Sequence, residues 1–206
     1  MYLPDVYKIE DKHKIEAFIR AYGFADLVTT NNGQLCCNKV PLLFDNKNNC
    51  LYGHFGKNNP QFDDLKLTNE VLLVFTGPHS YISPQWYKSQ GMVPTWNFQT
   101  LQIRGKARLV NEEKLLSILS DLTQLHESGL DEQWTMSQLG PKRQAVMLEM
   151  IVGFEIEILE MQFKEKMSQN RSIDDQRSVA AALTEQGDYD MNRVALIMND
   201  NLKNRV

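Results

Sequence analysis

The sequence predicts an α+β protein built around a small β-barrel, with helices before, between and after the strands. Three observations lead there. Short extended runs separated by Asn, Gly and Asp clusters fill residues 24–55. A strictly alternating stretch with a glycine on its apolar side covers residues 101–109. Helical periodicity with caps occupies both ends of the chain.

The first element is a helix. Ile15, Phe18, Ile19 and Tyr22 recur at i, i+3, i+4 and i+7, Asp11 is placed to cap the start, and Gly23 stops it. FADLVTT, LCCNKVPLLF and CLYGHF then read as strands of a meander. The intervening NNGQ and DNKNN supply residues that tolerate the positive φ of tight hairpins. Cys36 and Cys37 alternate across the second of these strands, so one of them is expected in the core. EVLLVFTG (70–77) has an apolar run without alternation, the mark of a strand buried on both faces.

Leu101, Ile103, Ala107 and Leu109 alternate with Gln102, Arg104, Lys106 and Arg108, giving a half-buried strand with a basic outer face. Gly105 on its inner side predicts a bend or a close backbone approach. Asn111 caps a helix with a Leu115, Leu119, Leu122 stripe, and a short helical stretch follows near 141–150. In IVGFEIEILEMQF, Phe154, Ile156 and Ile158 face one way and Glu155 and Glu157 the other, and Leu159 breaks the pattern, which predicts a bulge. Ser172 opens a C-terminal helix carrying Val179 and Leu183, and Gly187 separates it from a last helix with Val194, Ile197 and Met198. With no internal repeat or linker, the 206 residues are expected to form one domain whose segment from about 172 to 206 is helical.

Composition excludes several function classes. The longest apolar runs fall far short of the roughly 20 residues a membrane helix needs. The charged N-terminus lacks a signal-peptide centre. Three cysteines make no disulfide framework. A cytoplasmic protein with no membrane partner is therefore expected. A net charge of -4 argues against a chain coated for nucleic acid. His13, His54, His79 and His126 are scattered without metal-ligand spacing, so no metal site is expected.

Four stretches carry more chemistry than packing needs. In GHFGKNNPQF (53–62), Lys57, Asn58 and Asn59 precede a helical turn around Pro60, an arrangement suited to a phosphate, or simply a polar turn. GPHSYISPQWY (77–87) reads as a loop whose aromatics are either packed beneath the domain or stacked on a ring. In VPTWNF (93–98), Thr95 and Asn97 flank Trp96, offering polar groups for the edge of a planar heterocycle and a surface for its face; a capped strand start is the plainer reading. KEKMSQNRS (164–172) places Lys164, Lys166 and Arg171 around Ser168, Gln169 and Asn170, either an anion site or a helix-capping loop.

Together with MYLP, GFADLVT, NKVPLLF and IVGFEIEI, those stretches in this order resemble the PaiB-type FMN-binding negative transcriptional regulators over about residues 1–180. The resemblance implies a split β-barrel like that of flavin reductases and pyridoxamine phosphate oxidases. It also implies a homodimer with FMN at the subunit interface. On it, Lys57, Asn58 and Asn59 would lie on the phosphate side, and Asn38, Lys39 and Val40 beside the flavin ring. Thr95, Trp96, Asn97, Lys166, Ser168, Gln169 and Arg171 would close the pocket, one or both segments from the second protomer. His54 would touch flavin or hold the strand. The chain departs from the pattern at Asn38 and Lys39 (a Ser-His pair is usual), at Lys57 (Arg) and at Glu165 (Trp). DNA is a further partner the resemblance implies, but the last two helices lack a basic face, and the stripe of Arg104, Lys106 and Arg108 fits phosphate or solvent equally. A flavin-dependent oxidoreductase acting on a small substrate is the alternative function. No catalytic acid or base stands out.

Overall fold

The computed structural model describes residues 1–67 and 70–203. Among the described residues there are seven strands: β1 (Lys8–Ile9), β2 (Phe24–Asn31), β3 (Gln34–Asp45), β4 (Cys50–Gly56), β5 (Glu70–Ile82), β6 (Thr95–Leu109) and β7 (Ile151–Lys166). Six helices accompany them: α1 (Lys12–Ala21), α2 (Gln61–Leu67), α3 (Glu112–Glu127), α4 (Pro141–Glu149), α5 (Ile173–Gln186) and α6 (Tyr189–Lys203). The strand order is β1-β7-β4-β3-β2-β5-β6, and β6 pairs again with β7, so the order returns on itself as a barrel does. Only β2 to β4 form the expected meander; β5 goes back to β2, and β7 returns to β4.

The contacts divide the chain into two compact units. The larger holds residues 16–75 and 102–161. Its hairpins are those the turn residues predict, with Asn32 at φ 49°, Gly33 at φ 81° and Asn49 at φ 52°. Asp26 pairs with Lys39 in the β2–β3 ladder, and Leu42 with Gly53 in the β3–β4 ladder. A cluster of Cys50, Tyr52, Ile118 and Leu122 seats α3 on β4. The helix buries Ile118 where the sequence pattern suggested Leu119, which is only half-buried. Asn111 caps it, its side-chain oxygen accepting the Lys114 N–H at 2.9 Å. Gly105 is required by approach: a Cβ there would lie 2.5 Å from the Glu157 carbonyl oxygen. The outward Arg104 and Arg108 pair with Glu160 at 3.1 Å and Glu155 at 2.6 Å, so carboxylates of the same unit account for two members of the basic stripe. Neither adjacent cysteine reaches the core, contrary to expectation: Cys36 is half-buried and Cys37 exposed, because β3 projects its Gln34–Cys37 end beyond the packed sheet, and Cys50 is the buried one.

The smaller unit holds residues 1–15, 76–101 and 162–206. Its core gathers Ile82, Tyr87, Met167, Val179, Ala180, Leu183, Val194, Ala195 and Met198. Burying side chains of this kind contributes about 1.5–3 kcal/mol each. Helices α5 and α6 supply most of that core. Ser172 caps α5 by accepting the Asp175 N–H at 3.1 Å, and Gly187 ends it in the left-handed region at φ 74°. Helix α6 runs to Lys203, and the last part of the expected helical tail, residues 204–206, lies outside the described residues. The GPHSYI half of the expected loop is instead the end of β5, with a single 3-10 turn over Pro84–Trp86 and Tyr87 just beyond it. Along β7, Val152, Phe154, Ile156 and Ile158 are buried at even positions (with Gly153 buried between them), and Phe163 and Glu165 at odd ones, the change of parity that the break at Leu159 predicts.

Candidate functional site

In the larger unit, Asn38 is the centre of an amide cluster. Its side-chain amide donates to Gln61 Oε1 at 3.1 Å and to Asn59 Oδ1 at 3.4 Å. Gln61 is 0 % exposed and turns its own amide onto the Leu27 carbonyl at 2.8 Å and Thr29 Oγ1 at 3.2 Å. Thr29 in turn donates to buried Asp64 at 2.5 Å. Pro60 starts α2 so that Gln61 and Asp64 point inward, and a polar network this buried holds Asn38 in one rotamer. Gln61, Thr29 and Asp64 were not legible as site residues, since a Gln after Pro carries no chemical signature.

The other residues expected around Asn38 are placed differently. Lys39 pairs with Asp26 at 2.9 Å, and Val40 is buried in the core. Strand alternation puts His54 on the opposite face from Asn38, because Leu42 shares a face with Asn38 and is paired with Gly53. His54 carries a buried Nδ1 without a hydrogen-bond partner, and burial lowers its pKa, which keeps the ring neutral. Around the turn, the N–H groups of Lys57, Asn59, Gln61 and Phe62 bond to Met150 O, Gly56 O, Asn59 Oδ1 and Asn59 O. Any anion-holding capacity in this segment therefore rests on the exposed Lys57 ammonium and the Asn58 side chain.

In the smaller unit, all seven expected residues come together. Lys166 Nζ donates to Thr95 Oγ1 and, at 2.7 Å, to the Trp96 carbonyl. Ser168 Oγ donates to Asn97 Oδ1 at 3.1 Å, and Asn97 donates to Met198 sulfur at 3.4 Å. Gln169 accepts the Met167 N–H at 2.6 Å and donates to the Glu165 carbonyl at 2.5 Å. Arg171 sits over the Tyr87 ring, 5.8 Å from its centroid. Ser168 adopts φ 63°, a left-handed conformation that costs about 1 kcal/mol or more and that the Asn97 bond helps hold. Trp96 is 53 % exposed, with His79 and Tyr81 rings 6.3 and 6.0 Å away.

Electrostatically this cluster is one-sided. Among the described residues Lys164, Lys166 and Arg171 form no ion pair with a carboxylate; Lys164 donates to the Tyr2 carbonyl at 3.1 Å instead. Burial lowers the Lys166 pKa, and the charges of Lys164 and Arg171 lower it further. The carboxylate of this segment is Glu165, which points the other way. It is 4 % exposed and accepts from Gln99 at 2.7 Å and Asn201 at 2.7 Å. The departure from the expected Trp is thus built in by two amides that sequence reading did not single out.

A strand order that returns on itself, with flanking helices, is that of the split-barrel class. The chain matches the family described as "Putative FMN-binding domain" over residues 1–160, and it belongs to that family. It is 33% identical over 208 residues to "Protease synthase and sporulation protein PAI 2" of Bacillus subtilis strain 168, covering 100% of both chains. The PaiB-type assignment rests on these two findings. Among solved structures, it is similar to the FAD and heme binding protein from Mycobacterium smegmatis (TM-score 0.60, 9% identity, 89% of this chain and 81% of that chain). It is also similar to the flavocytochrome Anf3 from Azotobacter vinelandii (TM-score 0.55, 16% identity, 78% and 69%). At such identities the likeness shows the fold. FMN is the cofactor of the family, and the residues present fit it in part: ammonium and guanidinium groups for a phosphate and an exposed indole for a ring face, whereas Asn97, expected at the ring edge, is 0 % exposed and lies on the opposite face of β6 from Trp96. Among the described residues no helix is long and apolar enough to cross a membrane, and no group of His, Cys, Asp and Glu is arranged to hold a metal.

Proposed function

We propose that the protein is a cytoplasmic homodimeric regulator that binds FMN at its subunit interface, with Thr95–Asn97 and Lys166–Arg171 of one protomer contacting the flavin. The observation that carries this reading is the set of three cations without a carboxylate partner beside an exposed Trp96, in a chain of net charge -4. An acidic protein that leaves such a cluster uncompensated has an anionic ligand as its physical explanation. In that reading Lys166 and Arg171 attract the anion and Thr95 fixes the orientation of the ring, while the buried Asn97 holds Ser168 in place behind them. The flavin supplies redox sensitivity or ligand sensing, and the protein residues supply binding and orientation.

Titration with FMN, read by quenching of flavin fluorescence, tests this. About 30 non-hydrogen atoms at roughly 0.3 kcal/mol each give a dissociation constant near micromolar or tighter. Absence of quenching at tens of micromolar would remove the flavin from the proposal. Light scattering with and without FMN reads the dimer. Retardation of the gene's own upstream DNA reads the regulator, and NADH turnover without retardation would favour the oxidoreductase.

A further inference from the structure

We propose that Asn38 is a specificity residue that reads its ligand through the side-chain oxygen, accepting the imide N3–H of the flavin ring. This deepens the flavin reading above and rests on it. The orientation of the Asn38 amide follows from two neighbours that can each face it in only one way. Gln61 turns Nε2 onto the Leu27 carbonyl at 2.8 Å and the Cys36 carbonyl at 3.4 Å. Backbone carbonyls only accept, so that end of Gln61 is its NH2 group and the end facing Asn38 is Oε1. Asn59 accepts the Gln61 backbone N–H on Oδ1 at 3.0 Å, and the same oxygen faces Asn38. Two oxygens therefore meet Asn38, with Cys36 sulfur a third acceptor at 3.5 Å. Both hydrogens of Asn38 Nδ2 are committed to this inner side.

The oxygen is what remains for a ligand. Among the described residues nothing donates to Asn38 Oδ1, and it is not one of the polar side-chain atoms enclosed without a partner. Asn38 is half-buried, so water reaches that oxygen. Turning the amide over would set Oδ1 against two other oxygens. Gln61 cannot turn with it, because its NH2 group also serves Thr29, which is itself bonded to buried Asp64 at 2.5 Å.

This polarity selects one position on a flavin. The polar edge of the oxidised ring carries two carbonyl oxygens, N1 and N5, all acceptors, and a single N–H, at N3 between the carbonyls. A fixed side-chain oxygen is repelled opposite any of the acceptors and bonded opposite N3–H. Serine, usual at this position of the resembled pattern, can turn its hydroxyl to donate or to accept. Asn38 held in this way only accepts, so the departure narrows what the position recognises.

Two measurements test this. The wild type is titrated with FMN and with its N3-methyl derivative. In the ligand-free protein, exchange of side-chain amide hydrogens with water is followed by heteronuclear NMR, with Asn38→Ser used to assign the Asn38 signals and exposed Asn58 as the reference. The expected results are an Asn38 amide that exchanges more slowly than that of Asn58, and binding weakened about tenfold by N3-methylation, the scale of one hydrogen bond. In Asn38→Leu the two ligands should bind alike; the wild-type comparison stands whether or not that variant folds. An Asn38 amide that exchanges as fast as Asn58 overturns the orientation. Equal binding of both ligands by the wild type, or a preference confined to the reduced flavins, whose N5 carries hydrogen, overturns the contact and leaves the flavin reading standing. Failure of FMN to bind at all removes that reading and the contact with it, even where the amide is protected.

Discussion

Asn38 on β3 donates to Gln61 Oε1 at 3.1 Å, so a half-buried side chain is oriented by a residue that solvent does not reach. The same Gln61 amide satisfies the Leu27 carbonyl and the Thr29 hydroxyl. Replacement by leucine removes one hydrogen-bond partner from each of three polar groups, of which Thr29 keeps Asp64 and Asn38 keeps Asn59. Gln61→Leu is expected to lose about 2–4 kcal/mol of stability, which for a chain of this length lowers Tm by roughly 4–16 °C. Denaturant titration checks the energy. If Asn38 contacts the flavin, FMN affinity in the refolded variant falls as well.

Gly105→Ala tests the closeness of β6 to β7. The new methyl would meet the Glu157 carbonyl oxygen and Ile156 Cγ2, both at 2.5 Å, and backbone cannot step aside cheaply. A loss of about 2–3 kcal/mol is expected. Gly129→Ala meets nothing within 4 Å and serves as the control, with stability unchanged or slightly improved. Equal stability of the two variants would contradict the described strand packing.

Acid should destabilise the fold in two steps. His54 has a folded pKa below its ordinary value, because burial disfavours the imidazolium. The unfolded chain takes up that proton first, so stability starts to fall below about pH 6.5. Asp175 has a folded pKa lowered by the Ser89 N–H above all, then by the Ser89 hydroxyl, Ser172 and the Lys88 N–H. Its contribution is complete above about pH 4 and is lost as the pH falls through the lower folded value. In urea titrations at stepped pH, His54→Gln should flatten the first step, and Asp175→Asn the second.

Lys166 gives a test in which stability and affinity move in opposite directions. Its ammonium is desolvated and faces two like charges. Lys166→Met removes that cost and should leave the apo protein as stable as the wild type or more so. Its bonds to Thr95 and the Trp96 carbonyl vanish, and FMN binding weakens by about tenfold, the scale of one charge-assisted hydrogen bond. Parallel loss of stability and affinity would show Lys166 to be structural.

Periodicity made the helices, hairpins and caps legible, because Asp11, Asn111, Ser172 and Gly187 each act within their own turn. The strand order was less so. The returns of β5 to β2 and β7 to β4 are long-range choices that no local pattern encodes. In the smaller unit the expected site residues converge, since most of them lie in two short segments. In the larger unit, separating His54 from Asn38 takes the register linking Leu42 to Gly53 as well as alternation, and that register is not readable in advance. Gln61, Gln99 and Asn201 escaped notice because an amide becomes informative only when burial and its partner are known.

The ion pairs of Arg104 with Glu160 and Arg108 with Glu155 bear on how this protein would meet a polyanion. Binding to duplex DNA draws much of its strength from cations that displace the condensed counterion atmosphere, and each contributes about 0.9 to the slope of log affinity against log salt. Two of the three stripe cations are already paired with carboxylates of one strand, β7, leaving Lys106 to act at a distance. Association through that surface would show a slope near one, a nearly salt-insensitive encounter, and any sequence-selective hold on DNA would have to come from another part of the assembly.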